Sequence, residues 1–179
     1  FPTRRSSDLL FLSAGSVTSI FSALSASLIS LSNATVKTFN RPNLTSNGTL
    51  GGDSFAVESS GYLSYYEPYC VFDNTSNYWW TSTTNSTITF YNPNPLMVNN
   101  LNLTYYSDST SYWARNIIVQ GSNDNNNWND LGTFTYVAGQ QRTLSVNSNK
   151  FYKYYRLTFT IYSIYIRISD IEITGTYKE

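Results

Sequence analysis

The sequence predicts an all-β domain of the sandwich or barrel type, and three observations carry that expectation. A polar run from Gly121 to Leu131 separates Ile117-Ile118-Val119 from Phe134-Thr135-Tyr136-Val137, so turn-forming residues join two groups of β-formers. Leu101, Leu103 and Tyr105 alternate with Asn100, Asn102 and Thr104, and Tyr155, Leu157, Phe159 and Ile161 repeat the pattern, as strands with one buried face do. Aromatic residues make up 17% of the chain and charged residues only 12%, with 16 tyrosines and 4 tryptophans, a palette that suits half-buried strands.

Taken in order, the chain opens with a segment that should be set aside. Phe1 to Leu9 reads as the translation of a common sequencing-library adapter, matching every codon through Asp8. Such a segment is excluded from fold reasoning. The expectation that goes with it is a fragment of a longer gene whose true start is missing. Residues 10–36 are poor in charge and rich in serine, with Leu10, Ala14, Val17, Phe21, Leu24, Leu28 and Leu31 spaced alternately by four and three. That seam fits an oligomerising stalk, possible as a homotrimer, which is helical on the heptad spacing or a β-fibre on the Ser, Thr and Val content. A frayed end is the third reading.

Pro42, Asn47-Gly48 and Gly51-Gly52 mark residues 37–53 as a linker, and the domain is expected over 54–179. Short strands follow at 55–57, 87–90, 98–105, 116–120, 132–137, 142–146, 154–161 and 171–176, eight in all. Near the end, Ile164, Ile166 and Ile168 share one parity while Ile171 and Ile173 have the other. A loop or bulge at Ser169-Asp170 would return both groups to the core face.

Composition also excludes functions. The length of 179 residues allows one well-buried domain plus an appendage. Eleven basic and eleven acidic residues leave no electrostatic case for nucleic acid or an anionic membrane. With no histidine, Ser/His/Asp and Cys/His catalysis and the usual His-containing zinc sites are removed. Cys70 is the only cysteine, so no internal disulfide forms, and apolar Val71 beside it suggests a buried thiol. Glycosidase chemistry needs two carboxylates facing across a cleft, and no such pair stands out. A binding module is expected rather than an enzyme.

Three ordered blocks resemble the discoidin, or coagulation factor 5/8 type C, family of galactose-binding-like domains. They are Val71 to Trp80, Val119 to Leu131, and Tyr152 to Leu157 followed by Asp170 to Gly175. The resemblance covers about residues 54–177 and implies an eight-stranded jelly-roll sandwich whose loops at one end bind ligand. This chain departs from the family in having Asn74 and Asn125 where glycine is usual, and in lacking the closing cysteine pair of many animal members. The resemblance further implies a structural calcium held by Asp73 and Asp170, with Glu172 as an alternative and carbonyls around Asn74 to Asn77 completing the oxygen shell. The competing role for Asp73 is to cap its own turn.

A sugar site combines an aromatic plate with a few planar polar groups that fix the hydroxyls. Three loops offer that combination: Tyr65, Tyr66, Glu67 and Tyr69; Trp113 and Arg115; Tyr162, Tyr165 and Arg167. Trp113 or Tyr66 is expected as the plate and Arg115 as the hydrogen-bond fork. Core packing is the competing role for each ring. Trp79 and Trp128 are expected in the core.

The expected function is a non-catalytic module that recognises cell-surface or extracellular glycans from the tip of a viral or bacterial fibre or adhesin. The alternative is an accessory carbohydrate-binding module of a secreted glycoside hydrolase. Either places it outside the cell or on a virion surface, with no nucleic-acid partner and no membrane insertion.

Overall fold

The computed structural model describes residues 35–107, 109–135, 141–146 and 148–179. The adapter-like residues 1–9 and residues 10–34 of the expected stalk lie outside them.

The described residues form nine strands: β1 (Val36–Thr38), β2 (Ala56–Ser59), β3 (Trp79–Thr81), β4 (Ser86–Tyr105), β5 (Ala114–Ser122), β6 (Asn129–Thr135), β7 (Gln141–Ser145), β8 (Tyr152–Ile161) and β9 (Ile166–Lys178). All pairings are antiparallel. The sandwich comes from β4, whose two arms belong to different layers. Residues Ser86 to Tyr91 pair with β8 and β2, whereas Val98 to Tyr105 pair with β9 and Asn100 to Thr104 with β7. The change falls at Asn92-Pro93-Asn94-Pro95, where neither proline has an N–H for a ladder and Asn92 Nδ2 donates to the Asn94 carbonyl at 2.6 Å. One layer is β2-β4-β8-β5-β6; the other is β7-β4-β9, with β1 and β3 both on β9.

The two strands expected at 87–90 and 98–105 are therefore arms of one strand bent at a proline corner. β1 and β3 are additional; three residues are too few to show a period.

The layers meet over a core in which Trp79, Phe90, Tyr155, Leu157 and Phe159 are fully buried. Tyr155 ties the layers together: its hydroxyl donates to the Leu96 carbonyl at 2.9 Å and accepts from the Val98 N–H at 3.2 Å. Burial pushes that phenol up to about 12. In β9 the ladder passes from Thr104 opposite Asp170 to Tyr105 opposite Ile168, so Ser169 is an extra residue. That bulge sends Ile166, Ile168, Ile171 and Ile173 all to the core, as the parity change requires, while Ile164 stays exposed.

Two expectations are corrected here. Residues 37–53 are part of the domain and not a linker. Lys37 lies in β1, Phe39 packs on Phe55 with centroids 6.0 Å apart, and the N–H groups of Phe39 and Leu44 donate to the carbonyls of Gly175 and Phe72. The compact unit begins at Val36. Proline and glycine made the stretch look like a tether, but its backbone groups are satisfied by tertiary contacts rather than by water. Trp128 is also not in the core: it is half-buried, with the Arg156 guanidinium 4.1 Å from its ring centroid.

The loop before Trp128 is built by Asp124, whose carboxylate accepts from the N–H groups of Asn126 and Asn127 and from Asn127 Nδ2. These bonds, with one from Ser122, hold the Asp124 carboxyl well below the usual carboxylate range. Asn125 takes the left-handed φ of 58° that the turn needs. Cys70 is buried as expected, and burial pushes its thiol up to about 11.

Candidate functional site

Strand directions gather five connections at one end of the sandwich: those leaving β2, β3, β4, β6 and β8. This end carries an unusual surface. Of the seven large hydrophobic side chains that are exposed among the described residues, five lie here: Tyr62, Tyr65, Tyr106, Tyr162 and Ile164. Tyr65 is the most open, 87% exposed, and holds a φ of 74°. A bulky residue in left-handed backbone is strained, and such strain collects at binding sites.

Beneath these exposed rings sits a stack of half-buried ones. Tyr66 stacks on Tyr78 at 4.8 Å between centroids and meets Trp80 edge-on at 4.9 Å. Tyr78 continues to Tyr106 at 4.1 Å, and Trp80 meets Tyr165 edge-on at 5.4 Å. The alternation of β3 explains the split roles of adjacent tryptophans: Trp79 points into the core and Trp80 to this stack. Arg167, on β9 opposite Trp80, lies in the middle. Its Cζ is 3.9 Å from the Trp80 centroid and 4.2 Å from that of Tyr112. Burial, with the neighbouring Tyr66 hydroxyl, pushes the Tyr78 phenol up to about 12.

Loops are fixed to one another by backbone bonds. Tyr162 N–H donates to the Trp113 carbonyl, Tyr165 N–H to that of Ser111, and Leu63 N–H to that of Trp80. The platform is thus pre-formed.

The expected ligand residues divide. Tyr66, Tyr165 and Arg167 come together in the stack. Trp113 does not serve as a plate: it is 4% exposed, packs on Tyr105 and donates Nε1–H to the Ser107 carbonyl at 2.8 Å. It follows directly on the short turn Thr110–Tyr112, which leads its ring inward. Arg115 is exposed on a bulge of β5, between the pairs Ala114–Ile161 and Asn116–Thr160. Glu67 precedes the turn Pro68–Phe72 and accepts the Cys70 N–H with its carbonyl. Trp80, Tyr78, Tyr106 and Tyr112 were not singled out from sequence; for Trp80 the signal was its parity opposite to Trp79.

The expected calcium residues do not fit a metal ion as they are placed. Asp73 caps its own turn, accepting from Thr75 N–H, Thr75 Oγ1 and Asn77 Nδ2, with Asn74 at φ 55°. Asp170 is met by a cation already, Arg41 Nη2 at 3.0 Å, while Arg41 Nη1 donates to the Val71 carbonyl at 3.2 Å. Burial raises the Asp170 carboxyl, Arg41 opposes that rise, and Glu172 and Asp73 add to it. Glu172 is exposed. Among the described residues no three His, Cys, Asp or Glu side chains group closely enough to hold a metal. The Arg41 guanidinium thus already holds Asp170, one of the carboxylates that the resemblance implies for a metal.

A depression of about 320 Å³ lies at the opposite end, between Asn40, Pro42, Asn92, Asn94 and Tyr177. Its Phe39 and Phe55 rings are 8% and 6% exposed, so it offers little aromatic face to a ligand.

No family model and no curated protein matches the chain. Solved structures do. A family 32 carbohydrate-binding module of NanJ from C. perfringens, solved in complex with galactose, superposes with a TM-score of 0.58 at 10% identity, covering 70% of this chain and 93% of that one. The family 32 module of AlyQ, in complex with 4,5-unsaturated mannuronic acid, gives 0.56 at 16% identity over 66% and 92%. An F5/8 type C domain from Bacteroides fragilis gives 0.57 at 12% identity over 70% and 92%. Residues 36–179 therefore have the galactose-binding-like jelly-roll fold of family 32 carbohydrate-binding modules and F5/8 type C domains.

Proposed function

We propose that the domain is a non-catalytic module that binds glycans through the aromatic end of the sandwich. The observation that carries this is the gathering of exposed Tyr65, Tyr106 and Tyr162 over a stack centred on Arg167. Tyrosine presents an apolar face to the C–H face of a sugar and a hydroxyl to its rim, at little entropic cost because it has only two χ angles. The fold of modules solved with sugars supports the same reading.

Two settings suit such a module. At the tip of a viral or bacterial fibre or adhesin, weak single sites would be multiplied by oligomerisation through the Leu10 to Leu31 seam. As an accessory module of a secreted glycan-degrading enzyme, it would hold that enzyme on its substrate, a setting favoured by the likeness to carbohydrate-binding modules. Both are extracellular or on a virion surface. Sedimentation separates them: the fibre setting requires a trimer, and a monomer at high concentration rejects it.

Glycan-array screening of the full chain tests the site. Tyr65→Ala and Tyr106→Ala should each weaken binding about threefold to tenfold, the worth of one stacked ring. Unchanged binding in both variants refutes the placement.

A further inference from the structure

Among the described residues Arg167 is a cation without an anion. The ion pairs among the described residues are Lys37–Glu179 and Arg41–Asp170, and neither involves it. Glu67, the acidic residue next to Tyr66 in sequence, forms neither of these pairs. Arg167 Nε is buried with no hydrogen-bond partner, and so is Nε1 of Trp80, the ring 3.9 Å from its Cζ. Neither Nη atom is a buried orphan, and among the described residues no protein acceptor receives either.

Rings on Trp80 and Tyr112 strip water from the guanidinium and fix its plane while leaving its donors unspent. A guanidinium carries five N–H donors in a rigid fork. Hydroxyls of a neutral sugar can meet some of these donors but leave the charge uncompensated; a carboxylate meets two in parallel and neutralises it.

We propose that the ligand of this site is a carboxylated sugar, with its carboxylate paired to Arg167 and its ring face on the exposed tyrosines. This rests on the glycan-binding reading and narrows it to uronates and other acidic sugars.

The test changes the ligand before it changes the protein. The full chain is titrated calorimetrically with oligogalacturonate, oligomannuronate and sialyllactose, each beside a neutral counterpart: the methyl ester of each uronate, and lactose. At least one acid should bind about tenfold or more tighter than its neutral counterpart, as loss of a charge-assisted pair implies. Its affinity should fall as salt rises from about 50 to about 500 mM. Arg167→Lys, which keeps the charge but loses the fork, should weaken that acid about tenfold and the neutral counterpart by clearly less. If neutral sugars bind as tightly as the acids, the carboxylate assignment is wrong while the glycan reading stands. An acid preference that survives in Arg167→Lys and Arg167→Met assigns it to another residue and overturns the proposal. Should none of the sugars bind, both readings fall together. The ester comparison uses unaltered protein, so a misfolded variant cannot obscure the outcome.

Discussion

Replacing Arg41 by methionine removes the cation that the fold sets against Asp170. The Arg41 side chain is 11% exposed and that of Asp170 28%, so the pair is largely but not wholly withdrawn from water. Breaking a fully buried pair from one side costs about 3–5 kcal/mol, and a hydrogen bond to a charged group contributes about 1.5–3 kcal/mol. Partial exposure places Arg41→Met toward the lower ends of these ranges, at about 2–3 kcal/mol, including the lost bond to the Val71 carbonyl and the contact with the Phe72 ring. At about 3 °C per kcal/mol for a domain of this size, Tm should fall by about 6–9 °C. The loss should also depend on pH. Burial already holds the Asp170 carboxyl above its usual range, and removing Arg41 raises it further. A carboxyl raised in the fold costs stability when ionised, and that cost is relieved as pH falls through the folded pKa. The gap between wild type and Arg41→Met should therefore be widest near neutrality and narrow toward pH 4. Thermal melts over that range, with calcium and with a chelator, read both effects. A Tm within 1 °C of wild type, an equal loss at both pH values, or a wild-type Tm that rises with calcium would refute the assignment of the cation's role to Arg41.

Other positions give simpler outcomes. Tyr155→Phe leaves the Leu96 carbonyl and the Val98 N–H without their buried partner, and chemical denaturation should show a loss of about 1–3 kcal/mol with an unchanged m-value. Gly175→Ala would drive a methyl carbon into the Met97 carbonyl oxygen, beside the register shift in the β4–β9 ladder. Backbone must move to admit it, and the cost should be about 1–3 kcal/mol by the same measurement. Asp124→Ala removes the acceptor of four loop bonds and should raise hydrogen exchange at Asn126 and Asn127. Because those bonds depress the carboxyl, the wild-type loop should hold its protection above the ordinary aspartate range and lose it only as pH falls well below.

Much of this fold was legible because strand alternation is local. Leu101, Leu103 and Tyr105, or Tyr155, Leu157 and Phe159, declare their faces without reference to any other strand, and even the Ser169 bulge followed from the parity of the isoleucines. What was not legible depended on partners distant in sequence. Nothing near Lys37 or Phe39 shows that β9 and Phe55 will take them up, so composition alone made a tether of a strand. The site divides in the same way. Tyr66, Tyr165 and Arg167, which meet in the ring stack, lie in stretches of sequence rich in rings. Trp113 has the same local look, yet a short turn leads its ring into the core. The pairing of Trp80 with Arg167 arises from the register of β3 on β9, which no local pattern encodes. Arg41 was passed over because its partner Asp170 is 129 residues away.

The central claim is that ligand sits on the aromatic end, and an amide chemical-shift map of the full chain titrated with a glycan that binds it tests this most directly. Shifts should concentrate at Tyr62 to Glu67, Tyr106 to Trp113 and Tyr162 to Arg167. Shifts centred instead on Asn40, Asn92 and Asn94, at the opposite end of the sandwich, would contradict it.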